Sequence, residues 1–311
     1  MNSVLARKTK GVIDPDKEAQ LRDRVAGAYL GLAVGDALGA TTEFMTPAEI
    51  RHQYGIHKRI VGGGWLRLKP GQVTDDTTMS LALGESIIRE SGVYSDKVAV
   101  AFSDWMKSKP VDIGNTVRRG IIHYRTSGES TVKLNEYDAG NGACMRCLPV
   151  AIFHLGDPLA DTLKAVRAQS HVTHNNPVSD AGTEAITRML QSAFSGQSRT
   201  DVEFLIDQLC VEFPEFRYQG KRMENPSGWI VDTLKAVFQA FFNNDTFEAA
   251  MVDVVNRGGD SDTTGAILGM LAGACYGVAS IPPQWLEALD PSVRSKCETQ
   301  AIQLIQSSES G

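Results

Sequence analysis

The sequence lacks any long hydrophobic run. The longest apolar stretches of the 311-residue chain, residues 27–38 and 265–278, are too short to span a bilayer, and the first contains Asp36. The first 23 residues are charged and lack the apolar segment of a secretory signal. We therefore expect a cytoplasmic protein in which residues 1–16 form a mobile leader and residues 17–311 form one domain.

Cysteines are also few, and acidic residues outnumber basic ones. Five cysteines are an odd number without framework spacing, which fits a reducing compartment. Cys144 and Cys147 form a lone C-x-x-C pair, and without a second Cys or His pair we interpret them as packing residues rather than zinc ligands. The net charge of −6 argues against binding of a phosphate backbone, which needs a basic surface. Nucleic acid is therefore excluded as the main partner.

Strand patterns and linkers are missing as well. No segment alternates apolar and polar residues, and no stretch rich in Pro, Gly or Ser divides the chain. Helical periodicity instead predicts an all-α fold, a single compact orthogonal helical bundle. The predicted helices cover residues 16–38, 76–90, 95–107, a segment ending near 124, 144–154, 157–170, 177–195, 201–212, 229–242, 246–256, 264–278 and 290–307.

What the chain does contain is two acidic segments, each directly before an apolar helix. Residues 256–265 have the sequence NRGGDSDTTG, and residues 71–79 have the sequence GQVTDDTTM. Carboxylates are favoured at helix N-termini, so a simple N-cap explains either segment alone. Two near-identical segments together offer four carboxylates and several hydroxyls, a ligand set that suits Mg²⁺ or Mn²⁺. We therefore predict a dinuclear metal site at the N-termini of two helices.

Glycine recurs at every fourth position in two predicted helices, within residues 27–39 and 265–277. Each internal glycine costs about 1 kcal/mol relative to alanine, so eight of them need a structural reason. A glycine stripe lets another backbone approach closely, and we expect the two helices to pack together. Their contact would bring Asp36 and Glu43 towards the acidic segments.

Four other positions are open to more than one interpretation. Asp112, in a polar turn before a helix, is either a plain N-cap or a catalytic carboxylate. Residues 140–143, Gly-Asn-Gly-Ala, can hold a phosphate at a helix start or form an ordinary tight turn. His171 and His174 can bind metal, but without a neighbouring cysteine or carboxylate they are more often polar pocket residues. Trp229 is by default a core aromatic.

The motifs at residues 31–39, 74–77 and 258–265 resemble the ADP-ribosylglycohydrolase family in the same order, over about residues 24–290. Residues 63–72 and 140–149 are similar to the branch of this family that acts on dinitrogenase reductase. The resemblance implies an all-helical fold with two Mn²⁺ or Mg²⁺ ions and Glu43 close to them. It implies metal ligands at Thr74, Asp75, Asp76, Asp260, Asp262 and Thr263.

The resemblance also implies a substrate and partners. ADP-ribose phosphates would lie at Gly140, Asn141, Gly142 and Ala143, and adenine at His174 and Trp229, where the family more often has tyrosine. Asn115 would also contact the substrate. The implied activity is removal of ADP-ribose from an arginine of dinitrogenase reductase. A PII signalling protein and an ammonium transporter are implied partners, with reversible association at the membrane.

The implied reaction breaks an N-glycosidic bond between ribose and a guanidinium group. Its transition state should resemble an oxocarbenium ion, and the guanidine leaves more easily when it is protonated. Asp112, Asp75 and Glu43 are therefore the candidate catalytic carboxylates, with Asp112 as acid/base or as the group that holds the guanidinium. The alternatives are hydrolysis of ADP-ribosyl-serine or O-acetyl-ADP-ribose, or an inactive ADP-ribose-binding protein.

Overall fold

Helices form the regular structure of the computed structural model, which describes residues 15–310. No strand occurs in this part of the chain, where pairing of extended backbone is limited to two isolated β-bridges. The all-α prediction is therefore confirmed. The helices are α1 (Pro15–Gly39), α2 (Pro47–Tyr54), α3 (Asp75–Glu90), α4 (Ser95–Lys107), α5 (Asn115–Ser127), α6 (Leu148–Phe153), α7 (Leu159–Ser170), α8 (Pro177–Phe194), α9 (Arg199–Glu212), α10 (Ile230–Phe242), α11 (Phe247–Val255), α12 (Ser261–Tyr276), α13 (Pro283–Ala288) and α14 (Pro291–Ser310).

The predicted leader, residues 1–16, falls almost entirely outside the described residues. Only its last two residues, Pro15 and Asp16, are described, and they belong to the first turn of α1. Between residues 15 and 310, no helix is both long and apolar enough to cross a membrane.

The two glycine-striped helices, α1 and α12, pack against each other in opposite directions at the centre of the molecule. A Cβ atom added to Gly31 would lie 2.1 Å from the carbonyl oxygen of Gly269, and one added to Gly35 would lie 2.0 Å from that of Gly265. The backbones are therefore in direct contact, as the glycine spacing predicts. This contact places the C-terminal end of α1 beside the N-terminal end of α12, where Ser261 Oγ donates to the Gly39 carbonyl at 2.8 Å.

Asp36 fastens α3 to the same end of the central pair. The carboxylate of Asp36 accepts hydrogen bonds from the backbone N–H groups of Thr74 (2.9 Å) and Thr77 (3.0 Å) and from the Thr77 hydroxyl (2.6 Å). The N-cap residue Thr74 makes no side-chain capping bond of its own, and Asp36 instead satisfies two backbone amides at the start of α3 from another helix. As predicted, Asp36 lies near the acidic segments, and its role there is to cap α3.

Two short helices were not predicted from the sequence, and several boundaries are wrong by two to four residues: α12 begins at Ser261 rather than at residue 264, and α7 begins at Leu159 rather than at residue 157. Helices α2 and α13 were not predicted, although α2 has a readable signal: Thr46 and Glu49 form a capping box around Pro47. The helix predicted from residue 144 begins instead at Leu148, because residues 141–147 form consecutive turns.

The cysteines are free thiols, as predicted. Cys144 and Cys147 are fully buried in the core, so their interpretation as packing residues is confirmed.

Candidate metal centre and substrate cavity

The two acidic segments meet in space. Asp75 and Asp76 open α3, whereas Asp262 and Thr263 lie in the first turn of α12, directly after Asp260. The Thr263 hydroxyl donates to Asp76 Oδ2 at 3.3 Å and so joins the two helix starts. The Thr74 hydroxyl donates to the same oxygen at 3.2 Å. These bonds bring together the two segments that carry the six side chains predicted as metal ligands, of which five are buried and Asp260 is half-buried.

Glu43 joins this cluster from the turn that follows α1. A carboxylate oxygen of each of Glu43, Asp260 and Asp262 lies within 4.8 Å of the other two, a spacing that could hold a metal ion. The turn is positioned by backbone pairing: Phe44 N–H donates to the Gly259 carbonyl at 2.7 Å, and Gly259 N–H donates to the Met45 carbonyl at 3.0 Å.

The glycine pair before Asp260 is what permits this approach. Gly258 and Gly259 both have positive φ angles, 70° and 63°, a region that glycine adopts without steric cost. A Cβ atom on Gly258 would lie 1.9 Å from the Met45 carbonyl oxygen. A side chain at Gly258 would therefore clash with the turn that carries Glu43, and one at Gly259 would clash with the backbone of Pro226.

Burial and mutual repulsion raise the pKa of the clustered carboxyl groups. Burial is the largest cause in each case, raising the pKa of Asp75 to about 7 and that of Glu43 to about 8. The pKa values of Asp76 and Asp262 also lie well above the ordinary range, because burial is reinforced by neighbouring carboxylates. Within residues 15–310, the buried Asp76 Oδ1 has no hydrogen-bond partner. Carboxylates crowded in this way, one with an unpaired oxygen, fit hard divalent cations.

A cavity of about 430 Å³ opens beside the cluster. Most of the predicted site residues line it. They are Glu43, Asp75, Asp112, Asn115, Gly140, Asn141, Gly142, His174, Asp260, Asp262 and Thr263. Thr74, Asp76 and Ala143 are buried and do not line the cavity.

Trp229 is 44% exposed, so the default interpretation as a core aromatic is wrong. It follows Gly228, which does line the cavity.

Asp112 is not a helix cap. Helix α5 has Gly114 at its N-cap and no side-chain capping bond. The Asp112 carboxylate accepts the adjacent Ile113 N–H at 2.7 Å and lines the cavity. Burial raises its pKa, and Gly114 N–H donates instead to Asp75 Oδ2 at 3.3 Å. The interpretation of Asp112 as an N-cap is therefore wrong, and its interpretation as a catalytic carboxylate stays a prediction.

Residues 140–142 form a second wall of the cavity, beside the acidic cluster. Asn141 Nδ2 donates to Asp260 Oδ2 at 2.5 Å, which connects this wall to the acidic cluster. Its backbone N–H donates to the Gly228 carbonyl at 3.0 Å, so that amide is not free for a ligand. Since no helix begins here, the predicted phosphate site at a helix start is wrong in that respect, and what remains is a glycine-lined wall.

The two histidines face different partners and do not form a metal-binding pair. His171 Nε2 lies 2.9 Å from Asp180 Oδ2 on α8, whereas His174 Nδ1 lies 2.8 Å from the Thr173 hydroxyl and the ring lines the cavity. The interpretation of His174 as a polar pocket residue is confirmed.

Sequence reasoning missed two residues that organise the site. Trp65 Nε1 donates to Glu43 Oε2 at 2.6 Å, and its ring lies 5.4 Å from that of Phe44 at the cavity rim. Arg146 is fully buried among polar partners behind the cavity. The only signals were a tryptophan after three glycines and an arginine inside the C-x-x-C pair.

The fold and this acidic site define a known class. Residues 17–310 match the family model described as ADP-ribosylglycohydrolase, so the chain belongs to that family. The family resemblance and the glycohydrolase class predicted from the sequence are confirmed.

Individual relatives cover nearly the whole chain. It is 48% identical to ADP-ribosyl-[dinitrogen reductase] glycohydrolase of Rhodospirillum rubrum over 92% of this chain and 96% of that protein. It is 34% identical to the ADP-ribosylarginine hydrolase Tri1 of Serratia proteamaculans over 88% of this chain and 76% of the relative. A solved structure titled ADP-ribosylglycohydrolase-related protein complex superposes with a TM-score of 0.83 at 33% identity, covering 93% of this chain and 99% of the other.

Proposed function

We propose that this protein is a metal-dependent hydrolase that removes ADP-ribose from an arginine side chain, with ADP-ribosylated dinitrogenase reductase as its target. The observation that carries the proposal is the buried carboxylate cluster at the cavity of a chain 48% identical to the R. rubrum glycohydrolase. The likeness to an ADP-ribosylarginine hydrolase supports arginine as the modified residue.

Two divalent cations, Mn²⁺ or Mg²⁺, fit the cluster. Glu43, Asp260 and Asp262 would hold one side of the site, and Thr74, Asp75, Asp76 and Thr263 the other. When bound, such cations polarise ribose hydroxyls and make water a better nucleophile near neutral pH. The unpaired Asp76 Oδ1 and the mutual repulsion of the carboxylates support a need for cations here.

The chain's own residues supply the rest of the chemistry. Asp112 lines the cavity without a bond to the cluster carboxylates and has a raised pKa, so it suits protonation of the leaving guanidine or an ion pair with it. Asn141, held by Asp260 and by Thr233, fixes the wall at residues 140–142, where the ADP part of the substrate would lie. Trp229, half exposed beside that wall, would contact adenine.

The remaining predictions concern cellular context. The likeness to the R. rubrum glycohydrolase supports dinitrogenase reductase as the target, and reactivation of that target for nitrogen fixation stays a prediction. A cytoplasmic location stays a prediction from the cysteine content and the charged N-terminal sequence. Contact with a PII signalling protein and an ammonium transporter, with reversible membrane association, stays a prediction from the resemblance.

The decisive experiment offers the purified protein arginine-, serine- and glutamate-linked ADP-ribosyl proteins and O-acetyl-ADP-ribose, with and without Mn²⁺. Released ADP-ribose is measured by chromatography. We expect release from arginine only, abolished by a chelator and strongly reduced in Asp262→Asn. The control is Asp96→Asn, an exposed position on α4. Release from serine or from the acetyl ester alone would replace the proposed substrate, and no release from any of them would leave an ADP-ribose-binding protein.

A further inference from the structure

Arg146 places a positive charge in the interior of the protein, behind the cavity. Its side chain has no exposed surface, and its guanidinium carbon lies 4.4 Å from the centre of the Phe102 ring. Burial lowers its pKa to about 9, so the group stays charged at neutral pH. A buried charge is costly unless hydrogen bonds compensate it. Arg146 Nη1 has no hydrogen-bond partner in the described part of the chain, so the charge is held by the bonds of Nε and Nη2 to Gln169 and Thr173.

One set of partners leads to the glycine-lined wall. Arg146 Nε donates to Gln169 Oε1 at 2.8 Å, which fixes the orientation of that side-chain amide. The amide nitrogen of Gln169 then donates to the Ala143 carbonyl at 3.0 Å. The buried cation thus holds the turn that carries Gly140 and Gly142.

The other partner leads to His174. Arg146 Nη2 donates to Thr173 Oγ1 at 2.8 Å, and the same hydroxyl lies 2.8 Å from His174 Nδ1. Thr173 is buried and its hydroxyl has no other partner in the described part of the chain. If Nδ1 carried the proton, the hydroxyl would accept twice and its own O–H would stay buried without an acceptor, which is unfavourable.

The hydroxyl of Thr173 must therefore donate to Nδ1, and the ring proton must lie on Nε2. The His174 ring is neutral, because burial and the nearby Arg146 and Arg119 lower its pKa to about 3. A neutral imidazole has one protonated nitrogen, and the hydrogen bond at the other nitrogen selects it.

The Nε2 edge of the ring faces the cavity wall. A Cβ atom on Gly140 would lie 3.0 Å from Nε2, and one on Gly142 would lie 2.8 Å from Cε1. Alanine at either position would press on this edge of the ring, and His174 is 3% exposed even with glycine there. His174 lines the cavity together with both glycines.

We infer that Arg146, acting through the Thr173 hydroxyl, holds His174 in the tautomer whose Nε2–H donates a hydrogen bond to an acceptor atom of the adenosine diphosphate part of the substrate. This inference rests on the proposed function for the identity of the ligand. Arg146 and Thr173 are positioning residues, and His174 is a binding residue.

The tautomer is measured directly by long-range nitrogen–proton NMR on the ¹⁵N-labelled, metal-free protein at pH 7. The chain has six histidines, and His174→Gln identifies the signals of His174. We expect a protonated Nε2 and a bare Nδ1 in the wild type and in Thr173→Ser, which keeps the hydroxyl. In Thr173→Val, both tautomers should appear. A wild-type proton on Nδ1, or an unchanged tautomer in Thr173→Val, would overturn the inference.

Binding tests the consequence for the ligand. Calorimetry with Mg²⁺ present compares ADP-ribose, adenosine and pyrophosphate as probes. Thr173→Val should weaken ADP-ribose binding roughly tenfold, about the effect of one lost hydrogen bond, and Thr173→Ser should stay within about twofold of wild type. A matching loss with adenosine places the acceptor on the adenosine part, and one with pyrophosphate places it on phosphate. Equal ADP-ribose affinity in wild type and Thr173→Val would refute the role in binding. The NMR result is independent of hydrolase activity, so failure of the proposed function would appear separately.

Discussion

Asp112 differs from the other carboxylates of the cavity in its hydrogen-bond partners. Asp75 and Asp260 accept hydrogen bonds from Gly114 and Asn141, and Glu43 accepts one from Trp65. Among residues 15–310, Asp112 accepts a hydrogen bond only from its neighbour's N–H, and it lies on the loop before α5 rather than at the start of α3 or α12. A carboxylate held this loosely at the cavity is suited to move a proton or to bind a cationic group.

Replacement of Asp112 by asparagine should separate catalysis from metal binding. Asparagine keeps the size and an acceptor oxygen but loses the charge and the titrating proton. We expect Asp112→Asn to fold, to bind Mn²⁺ and ADP-ribose, and to turn over at least about a hundredfold more slowly, the lower range for a general acid or base. Steady-state kinetics, Mn²⁺ titration by electron paramagnetic resonance and calorimetry check these points. Near wild-type kcat would exclude the catalytic role, and lost Mn²⁺ binding would make Asp112 a ligand.

The sequence did not predict the site residues that lie outside the recurring motifs. The Asp-Thr motifs indicated Asp75, Asp76, Asp260 and Asp262 correctly as one cluster, because hydroxyls, carboxylates and glycines recur at fixed spacing. Trp65 and Arg146 act through contacts with Glu43 and Thr173, which are distant in the chain. Neither residue type is unusual by itself, so no local pattern could reveal these contacts.

Among the helices, α1 and α12 form the central contact of the fold. Wherever the glycine stripes meet, a carbonyl oxygen of one helix occupies the space that a side chain would need on the other. The ends of this pair also position Asp36 and the segment from Asp260 to Thr263, so helix packing and site geometry depend on the same glycines.

The change Gly31→Ala should therefore be far more destabilising than helix propensity suggests. Alanine favours a helix by about 1 kcal/mol over glycine, but its Cβ would lie 2.1 Å from the Gly269 carbonyl oxygen. We expect a net loss of about 3 kcal/mol or more in the free energy of unfolding, measured by urea denaturation. The control is Gly182→Ala on α8, where the nearest atoms belong to the side chains of Ile230 and Leu234. These side chains can shift, so the loss should be smaller, and equal losses would contradict the backbone contact.

The long helices were predictable because their apolar periodicity extends over several turns. Helix α4 was predicted at its observed bounds, and α8 ends one residue earlier than expected. Helices α2 and α13, at eight and six residues, are too short for periodicity to stand out. The start of α6 was misplaced because residues 141–147 are held in turns by contacts such as Gln169 to Ala143, which the sequence does not display.

Across the whole molecule, the site is assembled from distant segments. Glu43 follows α1, Asp75 and Asp76 open α3, Asp112 precedes α5, and residues 260–263 open α12. The unfolded chain therefore holds no preformed cluster, and a cation that binds only the folded protein should stabilise it. The stability of the protein should accordingly depend on both metal and pH.

The metal-free protein should lose stability as pH rises. The pKa of Asp75 is raised to about 7 and that of Glu43 to about 8 by burial, whereas both titrate near pH 4 in an unfolded chain. Between about pH 4 and 8, the folded state therefore holds protons that the unfolded state releases, so raising the pH favours unfolding. We expect the Tm of the chelator-treated protein to fall by roughly 3 °C or more between pH 5.5 and 8.

Saturating Mn²⁺ should raise the Tm most at pH 8, where fewer protons compete for the ligands. Scanning calorimetry at both pH values, with Asp262→Asn as the variant that should respond least to Mn²⁺, measures both effects. A metal-free Tm that stays constant or increases with pH would show that the cluster carboxylates are already ionised without a cation.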